Sequence, residues 1–258
     1  MKNEQKRRVQ ETFSKNKEAY VQSTTHNNPD DLKLLVEWLQ PEQHWRVLDA
    51  ATGGGHVAKA VQPFVHRVYA ADLTKEMLQN TAAHLSSIAD MAFIIADAEE
   101  LPFLDDYFDA VTCRIAPHHF PEPDTFVSEV SRVLKPGGRF LMIDNTAPED
   151  DQLDHFYNAL EKRRDPTHVR ALKVSEWEAL FNDQSLIVKK HLKRQKTLPF
   201  SSWVTRTQSC PVEQRAIEQA LLSADTNTKA YFSITSSDSG VEHFSVDEYM
   251  VLVEKGSC

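Results

Sequence analysis

The sequence predicts an α/β fold of the Rossmann-like type, a mostly parallel sheet with helices wound on both faces. Three observations predict it. Short apolar runs alternate with amphipathic segments of helical period between residues 46 and 143. The first apolar run turns directly into Gly53-Gly54-Gly55. Acidic residues, Asp49, Asp72 and Asp97, close the first three apolar runs in phase. Strands separated by helices pair in parallel through right-handed crossovers, which puts the strand tips and their acids along one edge of one sheet.

Each element has its own signal. Residues 4–21 are helix-friendly, with Val9, Phe13 and Tyr20 on a loose stripe. Ser23 to Pro29 reads as a polar loop. Leu32, Leu35, Val36 and Leu39 recur at helical spacing, and Pro41 follows where a helix stops. Arg46 to Ala50 reads as a short buried strand, and His56 to Val61 as the helix after the glycine turn. Val68 to Ala71 is the second strand, ending at Asp72. Thr74 is placed to cap a helix carrying Met77, Leu78, Ala82 and Leu85. Met91 to Ile95 is the third strand, ending at Asp97, and Phe108 to Cys113 the fourth. Phe126, Val130, Val133 and Leu134 mark a helix closed by Pro136-Gly137-Gly138, before a fifth strand from Phe140 to Ile143. Beyond that, residues 151–163, 175–182 and 201–224 look helical, and Leu186–Leu192 and Gly240–Val253 look like strands. A strand, a helical insertion and a last strand suggest a layer added over the sheet edge or the cleft. That layer is either a lid or structural padding.

Bulk properties narrow the function. A chain of 258 residues suits one elaborated α/β domain or two small ones. The net charge of −9 disfavours nucleic acid as a partner. Lys189 to Lys196 is a basic run that can touch RNA, but it lacks interleaved aromatics, and lysines also protect an edge strand. No apolar run approaches the roughly 18 residues of a membrane span, and Met1 to Gln10 shows no apolar core of a signal peptide. Three scattered cysteines, Cys113, Cys210 and Cys258, fit a reducing compartment, so a cytoplasmic location is expected. Oligomeric state leaves no signal in the sequence.

The glycine turn carries the functional signal. A sharp strand-to-helix turn needs small residues where backbone approaches a ligand, and Gly53 and Gly55 supply them. The helix N-terminus behind offers free N–H groups. Asp72, 19 residues after Gly53, is placed to accept both hydroxyls of a ribose, and Asp97 to accept from an adenine amino group. Each acid alone also fits a helix cap or a solvated loop. A nicotinamide dinucleotide is the rival ligand, because Gly53 to Ala58 satisfies G-x-G-x-x-G/A. Asp49 argues against it: a carboxylate at the first strand tip repels a pyrophosphate but tolerates an ammonium or a sulfonium.

These stretches resemble class I S-adenosylmethionine-dependent methyltransferases, especially the ubiquinone/menaquinone C-methyltransferase group. The matching stretches are Val47–Gly55, Ala71–Leu78, Ala96–Phe103, Phe108–Val111, His118–Phe120 and Leu134–Gly138. The resemblance covers roughly residues 10–145. It implies a seven-stranded sheet whose last strand is antiparallel, with S-adenosyl-L-methionine as cofactor. It implies that Asp49, Gly53 and Gly55 hold the methionine part, with Asp72 on the ribose. Leu73 would pack on the adenine, with Asp97 and Ala98 beside it and Arg114 near the methionine amine. The helix ending near Tyr20 matches a segment that closes over the cofactor. Ala51 stands where the family usually has its first glycine. Alanine suits right-handed and extended backbone, so binding is expected, at reduced affinity.

One methyltransferase domain over residues 1–258 is therefore expected: N-terminal helices over the cofactor (1–40), a cofactor-binding core (41–145), and sheet completion with a helical substrate cap (146–258). The expected reaction is in-line methyl transfer to a small-molecule acceptor. An NAD(P)-dependent oxidoreductase and a non-catalytic binder of S-adenosylmethionine are the alternatives. His118, His119 and Asp144, just past strands four and five, are candidates for a catalytic base where the nucleophile must lose a proton. The two histidines can equally pack or cap a helix start. Arg164 and His168, in the cluster Arg164-Asp165-Pro166-Thr167-His168, are candidates for clamping an anionic substrate; a plain helix end at Pro166 is the alternative. No Cys or His spacing matches a zinc site, and no metal is expected.

Overall fold

The computed structural model describes residues 2–21 and 28–256, without the side chains of residues 2 and 15–21. Two helices, α1 (Lys2–Val21) and α2 (Pro29–Leu39), precede the sheet. The core then runs β1 (Arg46–Ala50), α3 (His56–Val61), β2 (Arg67–Asp72), α4 (Lys75–His84), β3 (Met91–Ile95), β4 (Phe108–Arg114), α5 (Pro123–Val133) and β5 (Leu134–Thr146). The C-terminal part adds α6 (Asp151–Arg164), α7 (Val174–Asp183), β6 (Leu186–Pro199), α8 (Phe200–Thr205), α9 (Pro211–Leu222), α10 (Thr226–Tyr231), β7 (Thr235–Ser237) and β8 (Gly240–Lys255).

The strand order is β3-β2-β1-β4-β5-β8-β6, with the short β7 paired to β8. β1 to β5 pair in parallel, and β8 runs antiparallel between β5 and β6. The expected sheet with an antiparallel last strand is thus observed, with β7 as an additional eighth strand. The order reverses direction between β1 and β4, the switch point at which a crevice opens beyond the strand tips.

The sheet is buried on both faces, and the period of two sorts its residues. Along β5, Phe140 and Met142 join α5 and α7 through Phe126, Val130, Trp177 and Phe181. Their neighbours Leu141 and Ile143 join α2 and α3 through Leu35, Trp38, Val57 and Val61 on the opposite face. A third core, holding Leu153, Trp203, Ile217 and Phe244, ties α6, α8 and α9 to the first half of β8. Helix α2 starts on Asn28, whose side chain accepts from the backbone N–H of Asp30 and Asp31, and stops at Gln40 in a left-handed conformation.

Several boundaries depart from expectation. Helix α5 ends at Val133, and Pro136-Gly137-Gly138 belong to an irregular start of β5, where the pairing register with β4 shifts. A Cβ on Gly138 would lie 2.8 Å from the Lys135 carbonyl oxygen, so glycine there serves the bulge rather than a helix end. β6 continues seven residues past Leu192 to Pro199, paired with β8 throughout, and its lysine run lies on the sheet edge. The expected helix over 201–224 is two helices broken before Pro211. Thr74 occupies the N-cap position of α4, but its side chain makes no capping bond; its N–H donates to Asp72 Oδ1 at 2.8 Å instead.

Candidate active site

The tips of β1, β2, β3 and β4 open into a cavity. Its floor is the turn after β1. Gly53 adopts φ +53°, and no atom stands within 4 Å of the place a Cβ would occupy there. The backbone is bare toward the cavity at that point, as close approach of a ligand requires. Gly55, at φ +74°, is different. Its Cβ would meet Thr81 Cγ2 at 2.6 Å and Leu85 Cδ1 at 2.7 Å. Gly55 does not line the cavity; it lets α4 pack against the turn, so its expected contact with a ligand is replaced by a packing role.

Ala51 lines the cavity and adopts φ +53°, the left-handed region. This corrects the expectation of right-handed or extended backbone there. The turn holds the geometry a glycine would take freely and imposes it on an alanine, a strain of about 1–2 kcal/mol.

The three acids sit together beside this floor, each already held by the chain. Asp49 is buried, and its oxygens accept from Thr52 Oγ1 at 2.6 Å, Thr112 Oγ1 at 2.8 Å and the Ala58 N–H at 3.2 Å. Burial pushes its carboxyl up to about 6, against the pull of those donors. Asp72 accepts from the N–H groups of Gly53 at 2.9 Å and Thr74 at 2.8 Å, and burial raises its pKa as well. Asp97 Oδ1 accepts from the Glu99 N–H at 3.0 Å, while Oδ2 meets Lys6 Nζ of α1 at 2.5 Å. Leu73, Ala98 and Arg114 also line the cavity. The Arg114 guanidinium lies 3.5 Å from Asp31 of α2.

Helix α1 forms the roof. Lys6, Val9 and Phe13 line the cavity, Lys6 also pairs with Glu99 at 2.5 Å, and Gln10 Nε2 donates to the Leu73 carbonyl at 3.0 Å. Tyr20, expected near the closing segment, has its side chain outside the described residues.

A second cavity adjoins the first. Phe13, Ile115 and His119 line both. Ile115 is a β-branched residue at φ +54°, held there by its N–H donating to the Ile143 carbonyl at 2.8 Å. Such a conformation is a genuine outlier for isoleucine and persists only where its surroundings enforce it.

His118 and His119 lie on a short 3₁₀ turn after β4 that begins at Pro117. His118 Nδ1 is 2.7 Å from Asp144 Oδ1, and the His118 N–H donates to Asp144 Oδ2 at 2.9 Å. A carboxylate only accepts, so this pairing puts the proton on Nδ1 and leaves Nε2 as the basic nitrogen. Burial works against a charged ring, but the Asp144 charge and hydrogen bond more than reverse that, and the His118 pKa is raised. Asp144 lies behind His118 and lines neither cavity. His119 Nδ1 bonds the Thr167 carbonyl at 3.1 Å; burial and the neighbouring His118 press its pKa down to about 3, so it is neutral.

Of the two substrate candidates, Arg164 lines the second cavity and His168 does not. His168 is buried behind His118, ring centroids 5.6 Å apart, with Nε2 bonded to Asn158 Oδ1 at 2.8 Å. Its pKa is driven down to about 2, chiefly by burial, so it fits a packing role and not an anion clamp. Lys6, Ile115, Lys196 and Trp203 were not singled out for these cavities by the sequence. The basic run marked Lys196 as an RNA contact or an edge-strand lysine, and nothing local marks Ile115.

Residues 48–142 match the family model described as a methyltransferase domain. The chain is 38% identical over 230 residues to the uncharacterized methyltransferase YcgJ of Bacillus subtilis (strain 168), covering 88% of this chain and 91% of that one. The chain belongs to the S-adenosylmethionine-dependent methyltransferases. The crystal structure of the YcgJ protein superposes on this methyltransferase with a TM-score of 0.85 over 88% of the chain and 98% of its own, at 35% identity. The ubiquinone/menaquinone biosynthesis C-methyltransferase UbiE of Bartonella tribocorum is 38% identical over 133 residues, 48% of this chain and 51% of that protein. A geranyl diphosphate C-methyltransferase from Streptomyces coelicolor A3(2), solved with Mg²⁺, geranyl diphosphate and S-adenosyl-L-homocysteine, shares the fold. Its TM-score is 0.60 at 14% identity, covering 88% of this methyltransferase and 79% of that chain. Family membership removes the ground for the nicotinamide alternative. No helix among the described residues is long and apolar enough to cross a membrane.

Proposed function

We propose that this methyltransferase transfers a methyl group from S-adenosylmethionine in the first cavity to a small-molecule acceptor in the second. The observation that carries this is the shared wall of Phe13, Ile115 and His119, which joins the cavity at the strand tips to a second one beside it. The cofactor fits the first cavity on its own terms. The bare backbone at Gly53 admits a close ligand, Asp72 offers a carboxylate to ribose hydroxyls, and Asp97 borders the place of an adenine edge. Asp49 and Arg114 lie near the amino-acid end, Leu73 and Ala98 flank the base, and α1 covers part of it.

Bound there, S-adenosylmethionine supplies a methyl group already activated on sulfur. The chain's task is then alignment, a dry chamber and removal of any proton the acceptor must lose. The roof of α1, through Lys6, Val9 and Phe13, covers part of the chamber. His118, polarised by Asp144, takes the proton at Nε2. Asp144 acts through His118 as a positioning residue. His119, neutral, forms part of the wall and leaves proton transfer to its neighbour. The same assignment divides the single domain into a covering segment (1–40), a cofactor core (41–145) and an acceptor cap (146–258).

Calorimetry with S-adenosylhomocysteine, followed by a labelled-methyl screen of small acceptors, tests the proposal. Saturable binding and turnover of at least one acceptor are expected; binding with no turnover across the screen would leave a non-catalytic binder. Replacing Asp72 with Ala is expected to weaken S-adenosylhomocysteine binding by about 1–3 kcal/mol, the cost of removing a charged acceptor. Unchanged affinity in that variant would overturn the cofactor assignment.

A further inference from the structure

We infer that the acceptor is an anion with an apolar body, its carboxylate or phosphate group received by Lys196, Arg206 and Arg164. The inference deepens the proposed function and rests on the second cavity being the acceptor site.

Three cationic side chains line that cavity, and they come from three places in the fold. Arg164 ends α6, Lys196 lies in β6, and Arg206 follows α8. Carboxylates outside the lining hold Arg164 and Lys196. Glu161 holds Arg164 from behind, accepting from Nε at 2.9 Å and Nη2 at 2.7 Å. Glu248, fully buried on β8, pairs with Lys196 and also with Arg194 at 2.5 Å. The Arg164 guanidinium is fixed further by Nη1 donating to Thr207 Oγ1 at 2.9 Å, and it lies 4.8 Å over the Trp203 ring.

Burying cations against a cavity costs several kcal/mol each unless partners compensate. Here Glu161 and Glu248 compensate Arg164 and Lys196 from outside the lining, and all three cationic side chains border the cavity. Asp165 is the acid in the lining, and its Oδ1 is committed to its own loop, accepting from the Thr167 N–H at 2.8 Å and Thr167 Oγ1 at 2.5 Å. Among the described residues the lining holds three cationic side chains and one carboxylate, and Glu161 and Glu248 hold two of the cations in place from outside it. An anion entering gains charge-assisted hydrogen bonds to preset donors. Beside the polar His118, Asn145 and Thr207, the wall holds the apolar Phe13, Ile115, Leu198, Trp203 and Val246, which fits an acceptor with a hydrocarbon or aromatic body and not a bare inorganic ion.

The test is ligand-observed NMR and calorimetry on the S-adenosylhomocysteine-saturated protein. The probes are aryl and alkyl carboxylic acids, each matched with its primary amide and its phosphonate. Carboxylates or phosphonates are expected to bind at least about tenfold more tightly than the amides, and whichever of the two leads identifies the acidic group. Lys196→Gln and Arg206→Gln are each expected to cut binding of the anion by about fivefold or more, leave amide binding as it was, and keep S-adenosylhomocysteine affinity within about twofold. Equal binding of acids and amides, failure of every acid, or an acid preference that survives both substitutions would overturn the inference while leaving the cofactor assignment standing. Absence of saturable S-adenosylhomocysteine binding would overturn both.

Discussion

The two cavities are built on opposite plans. The first is made of strand tips and the turns that follow them: Asp49 near the end of β1, Asp72 ending β2, Asp97 just past β3 and Arg114 ending β4. Its close contacts are backbone at Gly53 and carboxylates held by backbone N–H groups. The second takes side chains from α1, the 3₁₀ turn, α6, β6, α8 and β8, which are scattered across more than two hundred residues. A cavity made from sheet ends is fixed by the sheet. A cavity made from side chains on added elements changes with single substitutions and leaves the sheet untouched. The difference separates a shared reactant from a particular one on physical grounds.

The sharpest way to break the comparison is at the boundary, with His118. If the second cavity carries the acid–base chemistry, His118→Asn removes the base and cuts turnover of a proton-losing acceptor by roughly 10²–10⁴-fold, about 3–5 kcal/mol of barrier. S-adenosylhomocysteine affinity is expected to stay within about twofold. The pH profile should change in the same variant. In the native enzyme the base works only when neutral, and Asp144 raises its pKa above 6.5. Turnover therefore rises with pH through a midpoint above 6.5, and that limb disappears in His118→Asn. A loss of cofactor affinity equal to the loss of turnover would show that the two cavities are one functional unit.

A smaller effect probes the first cavity alone. Asp49 has its pKa raised to about 6 by burial, and a ligand ammonium nearby favours its ionised form. Below pH 6 the carboxyl must give up a proton when such a ligand binds. Affinity for S-adenosylhomocysteine then falls as pH drops, by at most about tenfold per unit, and levels off above pH 7. Asp72 is also raised by burial, so the control is Asp49→Asn, in which the Asp49 share of the slope vanishes. Calorimetry between pH 5 and 8 decides it; a slope identical in both proteins removes Asp49 from the amino-acid end.

The same contrast explains what was legible in the sequence. β1 to β5, the glycine turn and the acids at the strand tips were visible because each depends on neighbours within about ten residues. Gly53 bears on the cavity as its position suggests, and Gly55 serves packing instead because Thr81 and Leu85, some thirty residues on, occupy its space. The histidine pair after β4 was legible; the division between a histidine paired to Asp144 and a neutral wall residue was not, since it depends on which partner β5 and the 165–168 loop supply. Lys6 against Asp97 and Lys196 against Glu248 are pairings across 91 and 52 residues, with no periodicity to announce them. β6 outran its apolar run because its outer half alternates exposed and half-buried residues, the pattern of an edge strand and not of a buried one.

The smallest expected effect concerns Ala51, and it asks whether the fixed cavity is tuned for stability or for binding. At φ +53° an alanine costs about 1–2 kcal/mol relative to a residue without a Cβ. Glycine regains that strain but gives back about 0.4–1 kcal/mol through the greater freedom of the unfolded chain. Ala51→Gly is therefore expected to stabilise the fold by roughly 0.5–1 kcal/mol, a rise in Tm of about 1–4 °C for a chain of this size. The turn is already held by the Thr52 N–H on the Ala71 carbonyl at 2.8 Å and by Asp72 on the Gly53 N–H at 2.9 Å. With the turn so preset, the variant gains little in S-adenosylhomocysteine affinity, less than about threefold. A large gain in affinity with no change in Tm would mean that the turn reaches its left-handed form only when ligand binds, and the rigid cavity would then be the adaptable one.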